Sequence, residues 1–245
     1  MLTPAKDPVK RYRLRYNLKA LERVREAIGE STYSKLRELL LFRLEGRDFE
    51  RTPTDAKVAV AFSAGSDSTA TLKILRWAGF DVVPITAKLP QMGEKTLQKV
   101  RSESSIFVEV PRYEETMREL IEKGAPICGR CHSMVMEAVE RKARELGVRI
   151  LATGDMLSSG LVSIYEKDGL VILNFPAFLA LDKGEIIEII GGEYELSFGC
   201  PLLWELFKRA PSTKRLALQR ILRETRARAL NPEMAVELMR DVLLR

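Results

Sequence analysis

No apolar stretch of this 245-residue chain approaches the roughly 20 residues a membrane helix needs. Met1 to Lys19 is basic throughout, unlike the apolar core of a secretion signal. A soluble, cytoplasmic protein with no membrane partner is therefore expected. Cysteine is scarce and odd in number, three residues, so a closed disulfide framework is not expected. Histidine is scarcer, with His132 alone. Structural zinc usually takes four protein ligands, and a site using His132 beside Cys131 would be strained by adjacency. The chain has neither GxxxxGK[ST] nor GxGxxG, which leaves out the ordinary P-loop and the dinucleotide fingerprint. There is no internal repeat and no low-complexity tract.

Charge is present in quantity and unevenly placed. The net charge is +6. Residues 1–52 carry 13 Lys+Arg against 8 Asp+Glu, residues 53–200 carry 17 against 21, and residues 201–245 carry 10 against 5. An acidic middle thus lies between two basic flanks, a distribution that attracts and steers polyanions. In the first flank Arg11, Tyr12, Arg13, Arg15 and Tyr16 interleave cations with aromatics, suiting phosphate contact and base stacking. In the last, Lys208, Arg209, Lys214, Arg215, Arg220, Arg223, Arg226 and Arg228 make one segment strongly basic. It is suited to an RNA backbone or, through Leu216, Leu218, Ile221 and Leu222, to a partner subunit.

The rest of the chain is organised around Lys57 to Gly79. Lys57 to Phe62 reads as a buried strand. Small or turn-forming residues follow from Ser63 to Asp67. From Ser68, Leu72, Ile74, Leu75 and Ala78 recur at helical spacing until Gly79. A strand, a small-residue turn and a helix make an anion site: small side chains let backbone N–H groups approach, and the helix start adds unpaired donors and a positive dipole end. Ser63, Ser66, Ser68 and Thr69 add hydroxyls.

In order, the chain predicts an irregular start to Tyr16, because Pro4 and Pro8 discourage an early helix. Helices over Leu18 to Ile28 and Ser31 to Leu44 follow, with Ser31 as a cap, then a linker from Gly46 to Asp55. After the central unit come a strand at Asp81 to Ala87, weakened for a central position by Pro84, and a helix at Glu94 to Arg101. A strand at Ser105 to Val110 and a helix at Tyr113 to Lys123 follow. This alternation is that of a parallel sheet with ligands at the strand C-termini. Cys128 and Cys131 form a CxxC pair in the loop Ala125 to Ser133. Such a pair can bind a metal, bind an iron–sulfur cluster or cycle through a disulfide. A helix from Met134 to Leu146 and a strand from Val148 to Thr153 end in Gly154-Asp155. Short strands are expected at Leu161 to Tyr165 and Leu170 to Phe175. Glu185 to Ile190 suits strand or helix, and Gly191-Gly192 breaks it. Trp204 to Arg245 reads as two helices, the second capped by Asn231 with Pro232 at its first position.

SAGSDS at 63–68 resembles the SGGxDS pyrophosphate loop of the PP-loop ATP pyrophosphatases, the adenine nucleotide alpha hydrolase-like superfamily. Ser63, Gly65, Asp67 and Ser68 match, and Ala64 replaces the first glycine. Ser66 stands where sulfur-inserting members often carry Lys, a cation that a nearby Lys can substitute. The resemblance implies an α/β, HUP/PP-loop type fold: a parallel five-stranded sheet with flanking helices over residues 53–203, with helical extensions at 1–52 and 204–245. It implies ATP with Mg2+ as cofactors, bound by Ser63, Ala64, Gly65, Ser66, Asp67 and Ser68, with adenine held near Thr86 and Ala87. Lys88 is placed to reach a phosphate. GDMLSS at 154–159 stands where the family has a GHxxDD-like motif, so Gly154 and Asp155 are candidate nucleotide or metal contacts. A lone Cys200 follows the CxxC pair in the order and places seen in tRNA 2-thiolation enzymes. There, three thiolates hold a [4Fe–4S] cluster with one iron open. The implied activity is ATP-dependent sulfur insertion into tRNA, with Asp67, Cys128, Cys131 and Cys200 catalytic and the three cysteines as metal ligands. The implied partners are tRNA, a protein or inorganic sulfide donor, and a second copy of the chain. Two other readings stay open: an amidotransferase or ligase with zinc or structural cysteines, and a catalytically silent nucleotide- and RNA-binding module.

Overall fold

A computed structural model of the chain describes residues 2–157, 163–191 and 196–245. Three helices come first: α1 (Pro8–Arg23), α2 (Arg25–Ile28) and α3 (Glu30–Glu45). The expectation of an irregular start is corrected here. Pro8 occupies the first helical position, where its missing N–H costs nothing, and Asp7 Oδ1 accepts from the amides of Val9 (2.7 Å) and Lys10 (3.1 Å). Ser31 is not the cap of α3 either; Gly29, with φ of +80°, is.

The remaining order is β1 (Lys57–Ala61), α4 (Ser66–Trp77), β2 (Asp81–Lys88), α5 (Glu94–Ser102), β3 (Ile106–Glu109), α6 (Tyr113–Glu122), α7 (Cys128–Glu145), β4 (Ile150–Thr153), β5 (Ile164–Lys167), β6 (Leu170–Asn174), α8 (Phe175–Phe178), α9 (Lys183–Ile190), α10 (Pro201–Arg209), α11 (Lys214–Arg226) and α12 (Pro232–Leu244). The segment Glu185 to Ile190, open between strand and helix by pattern, is helical and ends at Gly191. Asn231 and Pro232 start α12 as expected, with the Asn231 carboxamide accepting from Met234 N at 2.8 Å. The C-terminal segment holds three helices rather than two, because a 3-10 turn at Pro211–Thr213 separates α10 from α11. The first residues of the strand expected at Leu161 to Tyr165, the Ser158-Ser159 pair and Gly192 lie outside the described residues.

The sheet has six strands, not five, in the order β3-β2-β1-β4-β6-β5. All neighbours are parallel except β5 and β6, which form an antiparallel hairpin at one edge. The extra edge strand comes from the Lys167-Asp168-Gly169 turn, where Asp168 and Gly169 both take positive φ. Pro84 does lie inside a central strand. β3 pairs with β2 only from Ile85 onward, so the missing N–H falls where β2 has β1 as its only paired neighbour.

Val58, Val60, Leu72, Ile74 and Leu75 of the central unit share one apolar core with Leu14, Leu21, Leu36, Leu39 and Leu40 of the first helices. A second cluster joins Met117 and Ile121 of α6 to Phe207, Ile221, Leu238 and Val242 of the last helices. Among the described residues no helix is long and apolar enough to cross a membrane.

Candidate functional site

The strand order reverses at β1: the chain steps outward to β2 and β3, then returns to place β4 on the other side. A crevice opens between the C-terminal ends of such strands, and ligands of open α/β sheets bind there. The residues at this point are Phe62 to Ser68 after β1 and Gly154-Asp155 after β4.

The loop is tightly built. Ser63 and Ser68 hydroxyls lie 3.2 Å apart, Ser63 N donates to Ser68 Oγ (3.3 Å), and Ser68 Oγ donates to the Gly65 carbonyl (3.2 Å). Ala64 takes φ of +59°, the left-handed region in which a β-carbon is strained. That explains why glycine suits this position in the resembling loops. α4 starts at Ser66, two residues earlier than its apolar pattern shows, and no side chain caps it. Its first-turn amides have no intrahelical acceptors and face the crevice end of the sheet. Gly154 lets β4 press on this turn: a β-carbon there would sit 3.0 Å from Ser68 N and 3.2 Å from Asp67 C. Thr86 Oγ1 donates to Phe62 O at 2.6 Å, tying the end of β2 to the start of the loop. Ala87, next along β2, is buried. Lys88, exposed at the end of β2, pairs with Glu109 of β3 at 3.5 Å. Asp155 is half-buried, with its amide donating to Thr153 Oγ1 (3.2 Å) and the Thr153 hydroxyl donating to its carboxylate (3.2 Å).

Sequence reasoning leaves open which Lys lies near the loop; the structure brings Lys183 beside it. Its Nζ lies 2.7 Å from Ser66 Oγ and 2.7 Å from Asp67 Oδ1. Lys183 is the first residue of α9, more than a hundred positions away, and no local motif announces it. The start of α9 is clamped in turn. Asp182 and Glu185 form a capping box. Lys10 pairs with Asp182 (2.5 Å) and Glu185 (2.8 Å), and the fully buried Arg43 pairs with Glu185 at 2.5 Å. Arg43 also donates to the carbonyls of Leu179 and Thr3. On the other flank Lys99 Nζ donates to the Ala64 carbonyl at 3.0 Å, and burial pulls its pKa below the usual lysine value.

The CxxC pair does not lie in a loop. Cys128 is the first residue of α7, so Cys128 and Cys131 share one face of its first turn. Cys200 is the residue before α10, with Pro201 at the first helical position. Gly199 makes the corner possible: at φ of +89°, a β-carbon there would meet Leu203 Cδ2 at 2.8 Å. Phe198 N donates to Asp241 Oδ2 (2.7 Å), and Trp204 Nε1 donates to Phe198 O (2.9 Å). Cys131 and Cys200 pack against the same apolar cluster. Cys128 is exposed and Cys131 and Cys200 are half-buried. The protein around the Cys128 thiol displaces part of its hydration and raises its pKa, the Cys200 sulfur adds to the shift, and Arg220 opposes it. Burial also raises Cys131, against the hydrogen bond from Tyr113, whose hydroxyl lies 3.1 Å from Cys131 Sγ. Among the described residues, no group of three or more His, Cys, Asp or Glu is arranged as a metal site. Burial works against the charge of Arg220, while Glu224, then Cys128 and Asp155, favour it. Its hydrogen-bond partner is Glu224, whose carboxylate accepts from Arg220 Nε at 2.8 Å. An apolar cavity of about 220 Å³ opens beside Cys128, walled by Phe198, Leu203, Phe207 and Leu216, with Arg220 at its side.

No protein-family model matches the chain. It is similar to a probable tRNA sulfurtransferase of Thermococcus kodakarensis, 29% identical over 168 residues that cover 59% of this chain and 43% of that protein. It is similar to the tRNA-specific 2-thiouridylase MnmA of Bradyrhizobium diazoefficiens, 32% identical over 142 residues, 47% of this chain and 36% of that protein. The chain spans less than half the length of these two curated relatives. A third likeness runs nearly end to end, 32% identical over 248 residues, 96% of this chain and 94% of the other. On that match the chain belongs to the same family as the uncharacterized protein MJ1638 of Methanocaldococcus jannaschii.

Proposed function

We propose that the protein is an ATP-dependent sulfur transferase acting on tRNA. The reading is supported most directly by the turn after β1, where small residues, the Ser63–Ser68 hydroxyl pair and the uncapped start of α4 form an anion site at the C-terminal end of the sheet. The partial likeness to proteins named for tRNA sulfur insertion supports the substrate class.

Ser63 to Ser68 take the pyrophosphate of Mg-ATP on the amides of the loop and of α4, with adenine beside Thr86 and Ala87. Asp67 and Asp155 are the carboxylates available to Mg2+ or ribose. A base carbonyl oxygen of tRNA attacks the α-phosphorus, the bond to the bridging oxygen breaks, and pyrophosphate leaves. Adenylation makes that oxygen a good leaving group. Sulfide from an external donor then forms the C–S bond, and AMP departs with the oxygen. The donor set of Cys128, Cys131 and Cys200 is all thiol, which suits a thiophilic centre. These residues would hold a [4Fe–4S] cluster, whose open iron would supply a site for sulfide. Residues 53–203 act as the catalytic domain, and the basic extensions 1–52 and 204–245 contact the tRNA backbone. The enzyme works as a cytoplasmic homodimer.

Mass spectrometry of tRNA nucleosides from cells with and without the gene tests the reading: one thiolated nucleoside is expected to vanish with the gene. An unchanged nucleoside profile overturns it. Anaerobic purification tests the centre, with a brown protein expected. A colourless, zinc-loaded protein redirects the reading to a PP-loop amidotransferase or ligase.

A further inference from the structure

The ammonium of Lys183 is held where elementary electrostatics disfavours a cation. It sits in the first turn of α9, an eight-residue helix, and within hydrogen-bond distance of Ser66, the first residue of α4. The start of α4 carries no side-chain cap, so its positive dipole end is left beside the ammonium. Its side chain is only 13% exposed, so water screens little of the cost. Asp67, in the first turn of α4, balances the arrangement at 2.7 Å. The protein also holds α9 rigidly in this placement, through the Lys10 and Arg43 pairs at one end and a hydrogen bond from Lys73 to the Ile190 carbonyl at the other. The uncapped start of α4 and an ammonium converging on one turn make a site for a multiply charged anion.

We propose that Lys183 is a phosphate-binding residue that exchanges its partner: Asp67 holds the ammonium in the nucleotide-free protein, and the pyrophosphate end of the nucleotide takes it on binding. The proposal rests on the nucleotide-binding reading given above. It assigns to α9 the cation that the loop lacks at Ser66, and it releases the Asp67 carboxylate when the phosphates arrive. No covalent step is involved; an ion pair is traded for a charge-assisted hydrogen bond.

Calorimetric titration of inorganic pyrophosphate without divalent ions tests it, with thermal melts confirming that each variant is folded. Lys183→Ala is expected to weaken binding about 10- to 100-fold, and Lys183→Arg to retain most of it. The double variant Asp67→Asn/Lys183→Met separates direct contact from mere neutralisation of Asp67. It is expected to bind weakly, whereas binding as tight as wild type means that Lys183 only neutralises Asp67, and overturns the proposal. Ser66→Lys added to Lys183→Ala moves the cation into the loop and is expected to restore affinity; no recovery there counts against direct contact. Wild type that binds pyrophosphate while Lys183→Ala binds equally well overturns this proposal alone. Wild type that binds neither pyrophosphate nor ATP overturns the nucleotide reading with it.

Discussion

Glu185→Ala is expected to destabilise the protein strongly although Glu185 touches no predicted ligand. Its carboxylate accepts from Arg43 at 2.5 Å and from Lys10 at 2.8 Å, and closes the capping box of α9. Arg43 is wholly buried, so removing its ionic partner leaves a guanidinium with only carbonyl acceptors. Breaking a buried pair from one side costs about 3–5 kcal/mol. Glu185 itself keeps 23% of its side-chain exposure, which places the expectation at the lower end, about 3 kcal/mol. For a chain of this length that is a drop in Tm of roughly 6 to 12 °C. Thermal unfolding followed by circular dichroism reads it. Replacing both partners, Arg43→Met with Glu185→Leu, is expected to recover most of the loss, because an apolar pair removes the stranded charge. A drop below about 2 °C for Glu185→Ala, or a double variant worse than the single, would refute the reasoning.

Gly154→Ala is expected to weaken ATP binding and to cost about 1–3 kcal/mol, because the new methyl would sit 3.0 Å from Ser68 N and 3.2 Å from Asp67 C and push the loop aside; equilibrium dialysis and urea unfolding check both halves. In metal-free protein, partial loss of hydration and the Cys200 sulfur raise the pKa of the exposed Cys128 thiol above its ordinary value. Alkylation of Cys128 is therefore expected to run slower than that of a free small thiol at pH 7.5 and to climb only above about pH 9, and a faster rate at neutral pH contradicts the assignment. The sign for stability is the same: the fold holds this proton longer than the unfolded chain does, so its contribution is intact below pH 9 and is lost above it. Neutralising Arg223 and Arg226, both exposed on α11, is expected to weaken tRNA binding and to reduce the slope of log affinity against log salt by about 0.7–0.9 for each phosphate left without its cation; an unchanged slope assigns that helix face to a protein partner.

Much of the fold can be read from local chemistry. The central unit is legible because a Val/Ala run, a small-residue turn and a helical repeat each have their own signature. α12 is legible because Asn231 and Pro232 act within one turn. The differences between pattern and structure share a cause. Pro8 and Pro84 read as breakers, yet each sits where its missing N–H has no partner to lose, which depends on Asp7 in one case and on where β3 begins pairing in the other. Cys128 reads as loop because no apolar period reaches it, although α7 begins there without a side-chain cap. Lys183 is invisible to sequence reasoning: its role near Ser66 comes from α9 packing beside α4, and sequence spacing carries no trace of that approach.

The clamp on α9 also bears on synthesis. Lys10 and Arg43 emerge early from the ribosome and must wait for Asp182 and Glu185, while the corner at Cys200 waits for Asp241. A partly made chain can assemble β1 and its loop long before Lys183, which contacts that loop, has been translated. The contacts that fix α9 and the Cys200 corner can close only when nearly the whole chain has been made.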